Sequence, residues 1–275
     1  MVSSTSRLIC LCIGAQERRD LINMNIKMIV TDLDGTFLRE DKTVSERTMS
    51  AFRRCREKGF KIVYATGRGA SSKTLVPSEL FDGFVRCNGA SAYINDSLIY
   101  SNLVEIDTVR PLLLAADAAG IDIVAECGDV NYANFDASER WEWIENINTV
   151  DFNTLGGKAE KLYVASAVTQ EIIDVLNAHV PANLYIYLSN DGFALVMHKD
   201  STKSRAVNAL ANKWNIKQNE IVSFGDDTND IDLLEYSGIG VAMGNALDTV
   251  KQSADIICDT NENDGIAKWL EENVL

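Results

Sequence analysis

A mostly apolar run, Ile26 to Val30, stops at two carboxylates set two residues apart in Thr31-Asp32-Leu33-Asp34-Gly35-Thr36. A run this short, with no polar alternation, suits a strand buried on both faces of a parallel sheet. Ligands bind such sheets at the carboxyl ends of their strands, which is where the two aspartates fall. On an extended strand, residues two apart face the same side, so Asp32 and Asp34 are expected to aim at one point. Gly35 permits a sharp turn there and lets backbone N–H groups approach an anion.

The pattern that follows alternates. Thr43 and Glu46 form a capping-box pair opening a helix that Gly59 stops. Lys61 to Thr66 reads as the next strand, Ala70 to Leu75 as a short helix, and Gly83 to Gly89 as a third strand. Strand, helix, strand, helix, strand predicts a parallel sheet with right-handed crossovers. The pattern then changes to antiparallel signals, beginning with a hairpin from Ser91 to Tyr100. A helix over Asp107 to Ala119, a strand over Ile121 to Glu126, a looser aromatic region and a strand in "KLYVASA" come next. A helix from Thr169 to His179 and a hairpin turning at Asn190, Asp191 and Gly192 complete this stretch. From Lys203 the alternation returns, with a helix to Trp214 and strands in "EIVSFGD", "IGVAMG" and "DIIC" before a closing helix.

The fold expected is therefore α/β, a Rossmann-like doubly wound parallel-sheet core formed by residues 24–90 and 198–275. Residues 91–197 are expected to form an inserted α+β domain of roughly a hundred residues, an ordinary domain size.

A second acidic cluster lies in "FGDDTNDIDLL", with Asp226, Asp227, Asn229 and Asp230 at the end of another strand. One aspartate there would be an ordinary helix cap. Several, converging on Asp32 and Asp34, would repel unless a cation intervenes. Oxygen ligands without nearby His or Cys suit Mg²⁺, which takes octahedral oxygen coordination and keeps waters for a substrate phosphate. Thr66 and Gly67 end the second strand, where a hydroxyl and a backbone N–H can hold phosphate oxygens. Lys203 falls in the first turn of a helix, where a cation opposes the helix dipole unless an anion binds nearby.

The net charge of −14 argues against a general nucleic-acid binder, whose phosphate contacts need clustered Lys and Arg. It leaves room for a small phosphorylated metabolite met by a few local cations or a metal. Six cysteines without CxxC spacing read as free thiols in a reducing compartment. Arg7 followed by "LICLCIGA" is signal-like, but the apolar run is brief and charged "QERRD" follows at once. Met24 opens "MNIKMIVTDLDGT", so residues 1–23 are expected to be an extension outside the fold. No segment approaches the roughly twenty apolar residues of a membrane span. A cytoplasmic protein with no membrane partner is expected.

Asp32-Leu33-Asp34-Gly35-Thr36, Thr66-Gly67-Arg68, Lys203 and Gly225-Asp226-Asp227-Thr228-Asn229-Asp230 resemble the four ordered motifs of the haloacid dehalogenase superfamily. The insert between the second and third motifs resembles the type IIB cap of the Cof-like hydrolases. "RCNGA", "VAMGNA" and "DTNENDGIAKWLE" are also similar to that subfamily, and the likeness covers Met24 to Leu275. The resemblance implies a Mg²⁺-dependent phosphatase acting on sugar phosphates or phosphorylated cofactors. It makes Asp32 the nucleophile and Asp34 the acid/base. Mg²⁺ would be held by Asp32, the backbone carbonyl of Asp34 and Asp226, with Asp230 bracing its waters. Thr66, Gly67 and Lys203 would bind phosphoryl oxygens, and Asn229 and Asn88 would contact phosphate or substrate. The cap would close over the site, with Tyr132, Phe135, Trp141 and Trp143 as candidate pocket residues. The alternatives are a non-catalytic phosphate-ester sensor and a phosphotransferase or phosphomutase on the same scaffold. A signalling receiver also pairs an acidic Mg²⁺ pocket with Thr and Lys, but Asp34 and the cap speak against it.

Overall fold

A computed structural model of the chain describes residues 26–136, 146–189 and 192–275. The expected extension at residues 1–23, and Trp141, Trp143, Asn190 and Asp191, lie outside the described residues. The chain gathers into two compact units, the first built from 26–64, 79–82 and 211–275, the second from 65–78 and 83–210. No helix among the described residues is long and apolar enough to cross a membrane. Cys55, Cys87, Cys127 and Cys258 are free thiols, while Cys10 and Cys12 lie outside the described residues.

The first unit is organised by parallel strands in the order Ile256–Ile257, Ile239–Ala242, Ile221–Gly225, Met28–Thr31 and Lys61–Ala65. Met28–Thr31 is central and buried along its whole length, as its apolar run requires. From it the chain moves outward in one direction, to Lys61–Ala65; from Ile221–Gly225 it moves outward in the other. The strand order therefore reverses between Met28–Thr31 and Ile221–Gly225. The carboxyl ends of those two strands form the crevice that open α/β sheets use for ligands.

The helix Glu46–Glu57 buries Thr48, Ala51, Phe52 and Cys55, a stripe at helical spacing, and packs beside the closing helix Gly265–Asn273. Its cap differs from the expected one. Ser45 is the N-cap and accepts from the Thr48 amide, so the helix begins two residues later than a Thr43 cap would allow. Asp41 has captured Thr43 instead, accepting from both its amide (2.9 Å) and its hydroxyl (2.6 Å). An Asx-type turn has outcompeted the capping box. Gly59, at φ +89°, ends the helix as expected.

In the second unit, Gly83–Arg86, Ser91–Ile94 and Ser97–Ser101 pair antiparallel. The hairpin turns on Asn95 and Asp96, both at positive φ (46° and 61°), which is the geometry its two polar turn residues favour. A separate six-stranded sheet runs in the order Leu184–Leu188, Ala194–His198, Lys161–Val164, Ile123–Cys127, Val130–Ala133 and Ile147–Thr149. Helices Ile106–Ala118 and Gln170–His179 supply Val109, Leu112, Leu113 and Leu176 to a core shared with Leu162, Ala194 and Val196. Strands Val130–Ala133 and Ile147–Thr149 stand where sequence suggested only a looser region. Both are short and carry asparagines, so they lack the alternation that marks an independent strand and rely on pairing to neighbours. The helix Asp248–Ser253 was likewise not legible.

Candidate active site

The acidic motif is built from the sheet outward. The first strand ends at Thr31, so Asp32 and Asp34 lie past it in a turn, and the strand alternation expected to align them does not apply. Leu33, Phe37 and Leu38 are buried beneath this turn, and Phe37 packs edge-on against Phe52 and Phe81 at 4.9 and 5.4 Å. Burial of three such side chains contributes on the order of 1.5–3 kcal/mol each, enough to pin the loop from below. Backbone bonds from Phe37 N to Asp32 O and from Leu38 N to Leu33 O close it.

Asp32 is 5% exposed. One oxygen of its carboxylate and one from each of Asp226 and Asp230 lie within 4.8 Å of one another. Asp226 and Asp230 follow Ile221–Gly225, the neighbour of the first strand, so the two strand ends at the sheet's switch point meet in this cluster. Asp230 also shapes its own loop: Oδ2 accepts from the amides of Asp226 (3.0 Å) and Asp227 (3.2 Å). Asp227 caps the same turn by accepting from Thr228 N at 2.6 Å.

Three residues of this unit had no role assigned from sequence. Thr36 Oγ1 donates to Asp226 Oδ1 at 2.5 Å, orienting a carboxylate 190 residues away in the chain. Lys42 Nζ donates to Asp34 Oδ1 at 2.8 Å, fixing a side chain that is about one-third exposed. Asn245, inside the "VAMGNA" motif, donates to Gly35 O at 2.8 Å. The Thr36 contact had a signal in its fixed place after Asp34 and Gly35. The Lys42 contact had none, because it depends on a loop path.

Gly35 is required twice over. Its φ is +75°, and a Cβ there would stand 2.3 Å from Asp226 Oδ2. Gly35→Ala is expected to destabilise the protein by roughly 1–3 kcal/mol, from backbone strain and displacement of Asp226. Thermal unfolding of the variant against wild type measures it, and an unchanged midpoint would refute this account of the turn.

Thr66, Gly67, Asn88 and Lys203 belong to the second unit and come together there. Thr66 N donates to Val85 O, and Asn88 N donates to Thr66 O, both at 3.0 Å. The Thr66 hydroxyl accepts from Arg68 N at 3.1 Å, which shapes the turn through Gly67. Asn88 is 4% exposed at φ +52°. Its neighbour Gly89 abuts the Thr202 backbone so closely that a Cβ would lie 2.1 Å from Thr202 O. That contact brings the 87–89 turn to the start of the helix Lys203–Lys213. Lys203 is entirely buried, so it is not a solvated lysine on a helix end. A cation at the positive end of a helix and away from water is costly unless anions face it.

Asn229 lies in the short turn Thr228–Asp230 beside the carboxylates. Tyr132 and Phe135 are partly buried, packed against the cores of the six-stranded sheet.

The sequence profile of the haloacid dehalogenase-like hydrolases matches residues 29–270. Among curated proteins, the 5-amino-6-(5-phospho-D-ribitylamino)uracil phosphatase YitU of Bacillus subtilis is 31% identical over 265 residues, covering 89% of this chain and 96% of that protein. A haloacid dehalogenase-like hydrolase from Bacteroides thetaiotaomicron superposes with a TM-score of 0.80 at 25% identity, covering 90% of this chain and 99% of its own. The subclass IIB sugar phosphatase BT4131 superposes with a TM-score of 0.76 at 26% identity, covering 90% and 98%.

Proposed function

The chain belongs to the haloacid dehalogenase-like hydrolases, and we propose that it hydrolyses small phosphomonoesters with Mg²⁺ through a phosphorylated Asp32. The observation that carries this reading is the meeting of Asp32, Asp226 and Asp230 within 4.8 Å at the switch point of a parallel sheet. The relatives' names support the class: YitU is a phosphatase of a phosphorylated ribitylaminouracil and BT4131 a sugar phosphatase.

Three carboxylates so close, two of them buried, fit a hard divalent cation that takes oxygen ligands. Asp32 and Asp226 would hold it, with the backbone carbonyl of Asp34. Asp230 would brace its waters while keeping the 226–227 turn in shape. Bound there, the ion would neutralise charge on the transferring phosphoryl group.

Asp32 Oδ attacks phosphorus, and the bond from phosphorus to the ester oxygen breaks. Asp34 gives its proton to the departing alkoxide. Water then attacks phosphorus, Asp34 takes up the water's proton, and the acyl-phosphate bond breaks. Inorganic phosphate leaves and the Asp32 carboxylate is restored. Thr66, the Gly67 amide and Lys203 hold phosphoryl oxygens, and their work is positioning and charge stabilisation on a loose transition state. Asn229 and Asn88 are assigned to phosphate or substrate contact. A cytoplasmic, phosphorylated metabolite is the expected substrate, within the sugar-phosphate and phosphorylated-cofactor classes.

Phosphate release from a phosphomonoester panel tests this directly. Release is expected with Mg²⁺, and EDTA is expected to lower it at least a hundredfold, with recovery on adding the ion back. Release indifferent to EDTA would remove the metal from the account. Tight binding without release from any ester would favour a sensor, and transfer to a second sugar a phosphomutase.

A further inference from the structure

Among its described residues, the second unit contains four buried or nearly buried charged side chains that the proposed reaction does not use. Arg86, Glu126 and Glu160 are each 7% exposed or less, and the Lys161 side chain is 11% exposed. Glu160 accepts from Arg86 at 3.2 Å and from Ser91, while Arg86 also reaches Asp129 at 2.8 Å. Glu126 and Lys161 face each other directly across adjacent strands, Ile123–Cys127 and Lys161–Val164, with Nζ 3.3 Å from Oε2. Glu126, Glu160 and the Cys87 thiol approach closely enough to suggest a metal site. Arg86 and Lys161 already lie on its two carboxylates, and burial pushes the Cys87 thiol well above its ordinary range. Two cations on two anions leave no charge for a metal to neutralise.

Glu126 and Lys161 both also bond to a single loop. Lys161 Nζ donates to Gly67 O at 2.9 Å, and Ala70 N donates to Glu126 Oε1 at 3.3 Å. Gly69, between them, lies against Glu126 so closely that a Cβ would fall 1.4 Å from Oε1. The other side of the loop is tied by backbone bonds, Cys87 N to Arg68 O and Asn88 N to Thr66 O. The segment from Thr66 to Ala70 is thus held from both sides. Burial alone would pull the Lys161 ammonium down, but Glu126 beside it holds it above its ordinary range, so it stays a charged donor. A buried ion pair is an expensive way to stabilise a sheet, since apolar residues of the same volume serve as well or better. Its use here is explained by the loop it grips.

We propose that Glu126 and Lys161 are positioning residues that clasp the Gly67–Ala70 loop to the six-stranded sheet and so set Thr66 and the Gly67 amide for phosphoryl binding. This rests on the phosphatase reading, in which Thr66 and Gly67 hold phosphoryl oxygens. Substrate geometry is then coupled to the α+β sheet through one salt-bridged pair. A displacement of about an ångström in such a group costs on the order of a hundredfold in rate.

The test is a cycle on p-nitrophenyl phosphate with Mg²⁺. The charge-neutral double variant Lys161→Met/Glu126→Gln is expected to lose at least tenfold in kcat/KM, mainly in kcat. Thr66→Ala should cost tenfold or more in wild type but less than threefold in the double variant, because the loop is already released. Lys161→Arg, which keeps a charged donor, should stay within threefold of wild type. A double variant within threefold of wild type, or an equal Thr66→Ala penalty in both backgrounds, would overturn the proposal. Hydrogen exchange on the wild type tests it separately, whether or not the double variant folds: slow exchange of the Ala70 amide supports the clasp, and exchange at the unfolded-chain rate rejects it. A wild type that releases no phosphate rejects the phosphatase reading instead, and the Ala70 exchange rate then decides for or against the clasp by itself.

Discussion

Asp32→Asn is expected to lower phosphate release by on the order of 10⁴-fold or more, as removal of an enzyme's nucleophile typically does. The change is nearly isosteric, and Asp32 is almost fully buried among carboxylates. Removing one negative charge relieves repulsion with Asp226 and Asp230 while the metal is absent. The variant should therefore fold at least as well as wild type without Mg²⁺, and thermal unfolding in EDTA checks this. Loss of activity with retained stability separates a missing nucleophile from a damaged fold. Loss of both would assign Asp32 a structural role.

The second large effect is expected at Lys203. Its side chain is wholly buried in the first turn of its helix, at the end where the dipole repels a cation. Lys203→Met keeps the length and the apolar stem but removes the charge and three donors. If Lys203 stabilises the transferring phosphoryl group, kcat/KM should fall by about 10²–10³-fold, the usual loss of one preorganised charge-stabilising donor. Steady-state kinetics on any accepted phosphomonoester measures it. A variant within threefold of wild type would return Lys203 to the role of a packed structural lysine.

The parallel core was legible because its strands are buried on both faces and therefore carry short, unbroken apolar runs, as in Met28–Thr31 and Ile221–Gly225. The Asn95-Asp96 hairpin was legible for a different reason, since both turn residues tolerate the positive φ the turn imposes. Strands Val130–Ala133 and Ile147–Thr149 were not, because partners rather than their own pattern hold them in place. Thr43 shows how local signals compete: the capping-box spacing was present, and Asp41 took its hydroxyl. At the site, the carboxylates Asp32, Asp226 and Asp230 could be named from sequence because each ends or follows a strand. Their orientation could not. Lys42 on Asp34 and Asn245 on Gly35 arise from loop paths that no spacing encodes, whereas Thr36 on Asp226 was signalled only by its place after Asp34 and Gly35. The grip of Glu126 and Lys161 on the Gly67–Ala70 loop is further still from view, because it joins strands that only the sheet register places opposite each other.

The central claim is that phosphate passes through Asp32. The most direct measurement uses Asp34→Asn, in which the first transfer can proceed from a substrate with a good leaving group while the water-activating carboxylate is missing. The variant is mixed with radiolabelled phosphomonoester and Mg²⁺, quenched in acid, digested and mapped. The expected result is one hydroxylamine-labile label on the peptide containing Asp32, absent when Asp32→Asn is added. Phosphate release with no labelled peptide at any time, or a label mapping elsewhere, would contradict it.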